Sequence, residues 1–281
     1  MRTGGEATRK DAVVVVRPHD RSAAGRTIAV EAPVAIEVDG IGYAVMMMTP
    51  ADLTAFATGF MLTERLADRP ADVLDVDSFA AEAGWIVRVA LADRCRGRIH
   101  DRIRHRTSDT GCGLCGIASL EQLHRPVATT PPRPAASVTA LFAALASLRD
   151  RQPLNRATGA VHAAAACDPA GRIVTVCEDV GRHNALDKLV GTIAPAGGGA
   201  DGFVLVTSRI SFEMVDKALV LGTPMLVGVS APTSMAIDHA RAHGLTLVAL
   251  ARADAMLVMN DPWGIFDAVA EEGLEPPTPG L

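Results

Sequence analysis

The chain has 281 residues, a formal net charge of −5, and 49% hydrophobic against 21% charged residues. That balance excludes a disordered chain, and the acidic sign argues against a general nucleic-acid binder, whose footprint would be basic. Aromatic residues make up only 4%, so the core must rest on Val, Leu, Ile, Met and Ala.

Residues 1–26 are mixed and polar apart from "AVVVV" (12–16) and are expected to form a loose arm. "TIAVEAPVAIEVDGIGYAVMMM" (27–48) alternates apolar and polar residues on both sides of Asp39-Gly40, which predicts a β-hairpin with a tight turn. Thr49 is the expected N-cap of a helix over 51–66, with Pro50 at its first position and Asp52 as the capping acid. Leu53, Phe56, Ala57, Phe60 and Met61 then recur at helical spacing. "GWIVRVAL" (84–91) predicts another strand, so residues 27–106 are expected to form a small α+β unit. Residues 92–136 hold an arginine run, a CxxC and a proline cluster, a composition that marks a linker or functional loop.

From 137 the rhythm changes. Helices over 137–149, 182–194, 211–221 and 232–243 alternate with apolar strands over 171–179, 202–208, 224–230 and 245–251. This predicts an α/β fold with a mostly parallel sheet over 137–262. A disordered tail is expected to follow it.

Ligands in such a sheet gather beyond the carboxyl ends of the strands, where the next helix presents free N–H groups. The first end carries Asp179, Gly181, Arg182, His183 and Asn184, with Asp187 and Lys188 one turn on. The second carries Ser208, Arg209 and Ser211, the third Ser230, and the fourth Ala251 and Arg252. Hydroxyls, arginines and glycines suit phosphate oxygens, and Asp179 and Asp187 could accept from a guanine edge or ribose hydroxyls. Neither GxGxxG nor a P-loop lysine is present, so a dinucleotide dehydrogenase and an NTPase are unsupported. The plain alternative is that these residues only cap helices.

"DTGCGLCGIASLEQ" (109–122) sets Cys112 and Cys115 among glycines, just after six arginines between Arg94 and Arg106. Cations favour the thiolate, and glycine leaves the sulfur uncluttered on a loop that can face two surfaces in turn. The arginines could equally dock an acidic partner or be balanced by acids elsewhere. The five cysteines show no disulfide framework, and no leader or spanning apolar run is visible, so a reducing cytoplasm is expected. Three chemistries compete for the pair: structural zinc, thioredoxin-like exchange and persulfide transfer. Zinc lacks a second CxxC, and the pair follows a polar loop where an exchanger would place a strand.

The stretches "GCGLCG" (111–116), "TGAVHAAAACD" (158–168), "CEDVGRHNALDKLVG" (177–191), "TSRISFEMVDKA" (207–218) and "VSAPTSMAID" (229–238) follow one another in a specific order and spacing. On them the chain resembles, over about residues 27–260, the FdhD family of formate dehydrogenase accessory sulfurtransferases. The resemblance implies that Cys112 carries a persulfide with Cys115 as its partner. Sulfur would come from a cysteine desulfurase and pass to the molybdenum bis-guanine-dinucleotide cofactor of formate dehydrogenase. It also implies a cytidine-deaminase-like second domain, a homodimer, no permanently bound metal, and a cofactor segment over Leu250, Ala251, Arg252, Ala253, Asp254 and Ala255. Two departures stand out. The family often has arginine where Met48 stands, and its cofactor segment is usually rich in glycine and arginine, where this chain keeps only Arg252. Deaminase chemistry is not expected, because His162 is followed by alanines and no Pro-Cys-x-x-Cys is present. A cofactor-sheltering chaperone without sulfur chemistry, and a zinc-stabilised structural protein, are the alternative readings.

Overall fold

The computed structural model describes residues 4–103, 130–197 and 201–266, without the side chains of 100–103. The CxxC loop and the tail beyond 266 lie outside these residues. The molecule is mixed α/β and contains three sheets.

The first sheet is a two-stranded ribbon, β1 (Thr8–Arg17) with β2 (Asp20–Ala29). The expected loose arm is therefore an ordered hairpin, held by ten consecutive residue pairs from Thr8↔Ala29 to Arg17↔Asp20. The second sheet has the order β4-β3-β6-β5, formed by β3 (Ala32–Val38), β4 (Ile41–Met48), β5 (Val73–Ala81) and β6 (Gly84–Leu91). Asp39 and Gly40 both take positive φ, 48° and 80°, at the β3–β4 turn. This is the backbone an Asp-Gly hairpin turn requires.

Helix α1 (Leu53–Thr63) starts later than its spacing predicts, and its cap differs too. Asp52 is the N-cap, in a left-handed conformation and without a side-chain cap bond, because Thr49 is committed to a distant strand end. Helix α2 (Asp93–Ile103) occupies the start of the stretch expected to be a loop.

The third sheet has six strands in the order β12-β11-β10-β9-β7-β8. They are β7 (His162–Cys167), β8 (Ile173–Asp179), β9 (Phe203–Val206), β10 (Met225–Gly228), β11 (Thr246–Ala249) and β12 (Leu257–Asn260). Only the β9–β10 and β10–β11 pairings are parallel. The sheet is thus mixed, where the alternation of helix and strand predicted mostly parallel. The short alanine strand β7 runs antiparallel to both β8 and β9, and β12 closes the far edge antiparallel to β11.

Alternate strand residues enter two cores, as period-two side chains must. Ala164, Ala166, Val204, Val206, Leu226 and Leu247 join a cluster with Phe56 and Met61 of α1 and Leu186 and Leu189 of α5 (Arg182–Ile193). Ala165, Phe203, Leu205, Met225 and Val248 face Leu141, Ala144 and Leu148 of α3 (Val138–Leu148) on the other side. Helices α4 (Pro153–Thr158), α6 (Phe212–Leu221) and α7 (Ser234–Ala242) complete the described α-helices.

The first cluster also holds Val34, Ile36 and Val87 of the second sheet, so one continuous core joins the two larger sheets. The joint is the crossing of α1 on α5. A Cβ at Gly59 would lie 1.8 Å from the Asp187 carbonyl oxygen, and one at Gly191 would lie 1.8 Å from that of Ala55. Only a missing side chain on each helix allows backbones this close.

Candidate functional site

Strands β8, β9, β10 and β11 point the same way, so their carboxyl ends share one edge of the sheet. His162 begins the antiparallel β7 opposite Asp179, which brings the imidazole to that edge as well. The residues the sequence singled out at the strand ends therefore share that edge, and they divide into two layers.

The inner layer is closed. Asp179 is fully buried, and each of its oxygens accepts two bonds. Oδ1 accepts from the Gly181 N–H (2.7 Å) and Asn184 Nδ2 (3.2 Å). Oδ2 accepts from the Thr49 N–H (3.1 Å) and the Lys188 ammonium (2.6 Å). Lys188 also donates to the Thr49 carbonyl at 3.0 Å, Asn184 donates to the Met47 carbonyl at 3.0 Å, and the Val180 N–H donates to Thr49 Oγ1 at 3.3 Å. The end of β4 is thereby tied to the start of α5. Gly181 is required by close approach, since a Cβ there would sit 2.5 Å from Asn184 Nδ2.

Asp187 forms a second closed node, accepting from Thr63 Oγ1 (2.7 Å) and from Lys217 Nζ at 2.7 and 2.8 Å. Burial pushes its carboxyl up, against the pull of the ammonium.

The outer layer is open. Arg182, Arg209 and Arg252 have no carboxylate partner among the described residues. Arg182 Nε, both ring nitrogens of His183 and Ser211 Oγ are buried and make no hydrogen bond. Native structures pair most of their buried polar groups, so these four atoms call for partners. Burial, aided by the Lys217 and Arg182 cations, lowers the His183 imidazole to about 3, so it is neutral at ordinary pH. His162 is lowered by burial and then by Arg182 and Arg209, with Asp179 opposing. Both shifts come first from burial, with the cations at this edge adding to it. Ser208 is buried and donates to the Arg209 carbonyl, while Arg209 itself is exposed.

The 250–255 segment follows β11 at the same edge. Leu250 adopts φ 48°, with its N–H donating to the Ser230 carbonyl at 3.2 Å, and the Ala251 N–H donates to the Gly228 carbonyl at 3.0 Å. A left-handed leucine costs about 1 kcal/mol or more relative to glycine. Arg252 through Ala255 form an exposed turn closed by the Arg252 N–H on the Ala255 carbonyl at 2.8 Å.

Two site features were not apparent from the sequence: the Thr49 clamp and Lys217. The lysine count was the available signal. The chain has only three lysines, and two of them are these buried ion-pair partners.

Cys112 and Cys115 lie outside the described residues. The three described cysteines are all buried. Burial raises the Cys95 thiol, and pushes Cys167 to about 12 and Cys177 to about 11, far from a thiolate at neutral pH. Three of the six arginines before the CxxC are spoken for. Arg94 reaches both oxygens of buried Asp72 at 2.6 Å, Arg98 pairs with Asp68 at 2.7 and 2.8 Å, and Arg96 pairs with Asp93 at 2.8 Å. Ligand atoms of Asp68, Asp72 and Cys95 lie within 4.8 Å of one another, but those guanidinium groups already take up the two carboxylates.

No helix among the described residues is long and apolar enough to cross a membrane. A family model described as FdhD/NarQ matches residues 29–265. A Bordetella parapertussis protein named sulfur carrier protein FdhD is 44% identical over 253 residues, covering 89% of this chain and 92% of its own. A Variovorax paradoxus protein of the same name is 44% identical over 84% of this chain and 85% of its own. A crystal structure from Desulfotalea psychrophila, named as a candidate formate dehydrogenase accessory protein, superposes with a TM-score of 0.71 at 23% identity, covering 92% of this chain and 98% of that one. With the match spanning both larger sheets and every strand end of the site, the chain belongs to the FdhD/NarQ family.

Proposed function

We propose that this protein is a cytoplasmic sulfur carrier, a sulfurtransferase that serves formate dehydrogenase. In this reading Cys112 accepts sulfur from a cysteine desulfurase and passes it to the molybdenum bis-guanine-dinucleotide cofactor, which is a substrate held at the strand-end edge. The observation that carries the reading is the unpaired outer layer. Arg182, Arg209 and Arg252 lack acidic partners, and Arg182 Nε, His183 and Ser211 Oγ are buried without bonds. A diphosphate would supply acceptors to the arginines and the hydroxyl, and a neutral imidazole offers one donor and one acceptor to a base or sugar. The closed nodes at Asp179–Lys188 and Asp187–Lys217 hold that layer from beneath. The names of the relatives support the carrier role.

The sulfur step balances simply. The Cys112 thiolate attacks the outer sulfur of the desulfurase persulfide, forming a new S–S bond and releasing the desulfurase thiolate, which takes up the proton. Delivery reduces that outer sulfur to sulfide as Cys115 closes a disulfide with Cys112. The buried Cys95, Cys167 and Cys177 are poor candidates for either step because burial keeps them protonated. A homodimer is part of the same reading.

Intact-mass analysis after incubation with a desulfurase and cysteine tests the carrier. One added sulfur is expected on the wild type and none on Cys112→Ala, and unchanged loading of that variant overturns the assignment. Titration with GDP, a fragment of the proposed substrate, tests the edge. Binding weakened by Arg182→Ala or Arg209→Ala is expected, and the absence of any wild-type binding removes the site.

A further inference from the structure

We propose that the β1–β2 hairpin is an arm that grips the acidic body of a second copy of this chain. The inference rests on the homodimer reading above and assigns the contact that makes it. The two strands form a sheet of their own, with ten residues each, so the ribbon is about 33 Å long at ~3.3 Å per residue. A two-stranded ribbon is marginally stable by itself in water and needs a third layer or strand to cover it. Among the described residues its side-chain hydrogen bond to the body is one near its base, Arg26 Nη2 donating to the Thr158 carbonyl at 3.2 Å.

The ribbon nevertheless carries four consecutive valines, and Val14 and Val16 on one face are 64% and 74% exposed. Across the ladder Val14 faces Ala23 and Val16 faces Arg21, and neither partner keeps its valine from solvent. Valine is a poor choice for a solvated ribbon and a good one for a covered ribbon.

Charge identifies the cover. Residues 8–29 hold five basic and two acidic side chains, a balance of +3, against 21 basic and 25 acidic side chains, a balance of −4, over residues 30–266. Two arms from two copies would repel each other, so arm-on-arm pairing is disfavoured. An arm laid on the partner's body is attracted. Acidic surface is available there: Asp75 and Asp77 on the open edge strand β5 are exposed and form no ion pair among the described residues. The exchange is reciprocal, as a two-fold dimer requires, so each copy both grips and is gripped.

Sedimentation velocity on the full chain tests this with two variants at exposed positions, Val14→Glu/Val16→Glu and Arg17→Glu/Arg21→Glu. The expected results are a dimeric wild type, a dissociation constant about tenfold or more weaker in either variant, and unchanged circular dichroism. The wild-type dimer should also loosen as salt is raised, and the arginine variant should lose most of that salt response. A wild-type dimer that both variants retain at full affinity overturns the arm while leaving the dimer standing. A wild type that stays monomeric overturns the dimer reading and the arm with it.

Discussion

The Lys188 ammonium and the Asp179 carboxylate lie 2.6 Å apart with neither side chain reaching solvent. The pair is sited where the second sheet meets the third, and the Thr49 backbone bonds to both partners. Cutting a buried pair on one side strands the other charge, which costs about 3–5 kcal/mol. Lys188→Met should therefore destabilise the protein by that amount, and Asp179→Asn/Lys188→Met should cost less than the two single variants added together. Urea denaturation measures this. A Lys188→Met protein as stable as wild type would show that the charge is not held as described.

Thr49→Val probes the same joint more gently. It removes the acceptor for the Val180 N–H, leaving a polar group without its partner at a cost of about 1–3 kcal/mol. Val180 and Gly181 precede Arg182, so GDP affinity should fall along with stability. A variant that loses stability but binds GDP as before would separate the clamp from the site.

The α1–α5 crossing has no room to give. The projected Cβ at Gly59 or Gly191 meets backbone, not a flexible side-chain tip. Gly59→Ala should therefore cost at least about 3 kcal/mol, at or above the upper end of ordinary overpacking, and Gly191→Ala should match it. Thermal unfolding reports both. Mild effects would mean that the helices can part without loss.

Acid stability should depend on a carboxylate between α6 and the end of α1. Burial works to raise the Asp216 carboxyl, but bidentate bonds from Arg65 at 2.7 and 2.8 Å and a contact with His239 at 3.3 Å bring it to about 2. A depressed carboxylate stabilises the fold fully above its unfolded value near 4 and loses that contribution as pH falls toward 2. Its size is about 2 kcal/mol. Asp216→Asn should flatten the fall in stability between pH 4 and pH 2, as followed by urea midpoints.

Where one apolar segment decided its own structure, the sequence was readable. The strands ending at Asp179, Val206, Gly228 and Ala249 and the helices between them fall close to their expected spans. The Asp39-Gly40 turn has the backbone its residues predict. Failures came where distant partners decided. Thr49-Pro50-xx-Asp52 is a sound capping sequence, yet Thr49 bonds to Asp179, 130 residues away, and the helix starts without it. For the arginine run from 94, docking a partner and balance by acids elsewhere stayed equally open, because Asp68 and Asp72, which neutralise its first turns, sit more than twenty residues upstream. The ribbon was missed because its second strand is polar. The antiparallel direction of β7 could not be read, since direction depends on the loops and not on the alanines. At the site, the strand ends singled out in the sequence share one edge of the sheet. The sequence had no way of showing that Asp179, Asp187 and Lys188 saturate one another beneath Arg182, His183 and Ser211.

His183 provides the sharpest test of the open layer. Burial, with Lys217 and Arg182 nearby, lowers its imidazole to about 3, against roughly 6.5 in an unfolded chain. Between those values the unfolded state binds a proton that the folded state refuses. This residue's contribution is therefore complete above pH 6.5 and is lost progressively as pH falls toward 3. His183→Gln should flatten the stability profile across that window, the opposite side of pH 4 from most of the Asp216 effect. An anion bound beside the ring offsets the two cations and favours the imidazolium, so GDP should raise the His183 pKa. Imidazole carbon shifts followed by NMR during a pH titration read both effects. The free protein should show one histidine neutral at pH 5, moving toward the charged form when GDP is added. A His183 that titrates near 6.5 in the free protein would mean that this edge is wetter and less cationic than its unpaired groups imply.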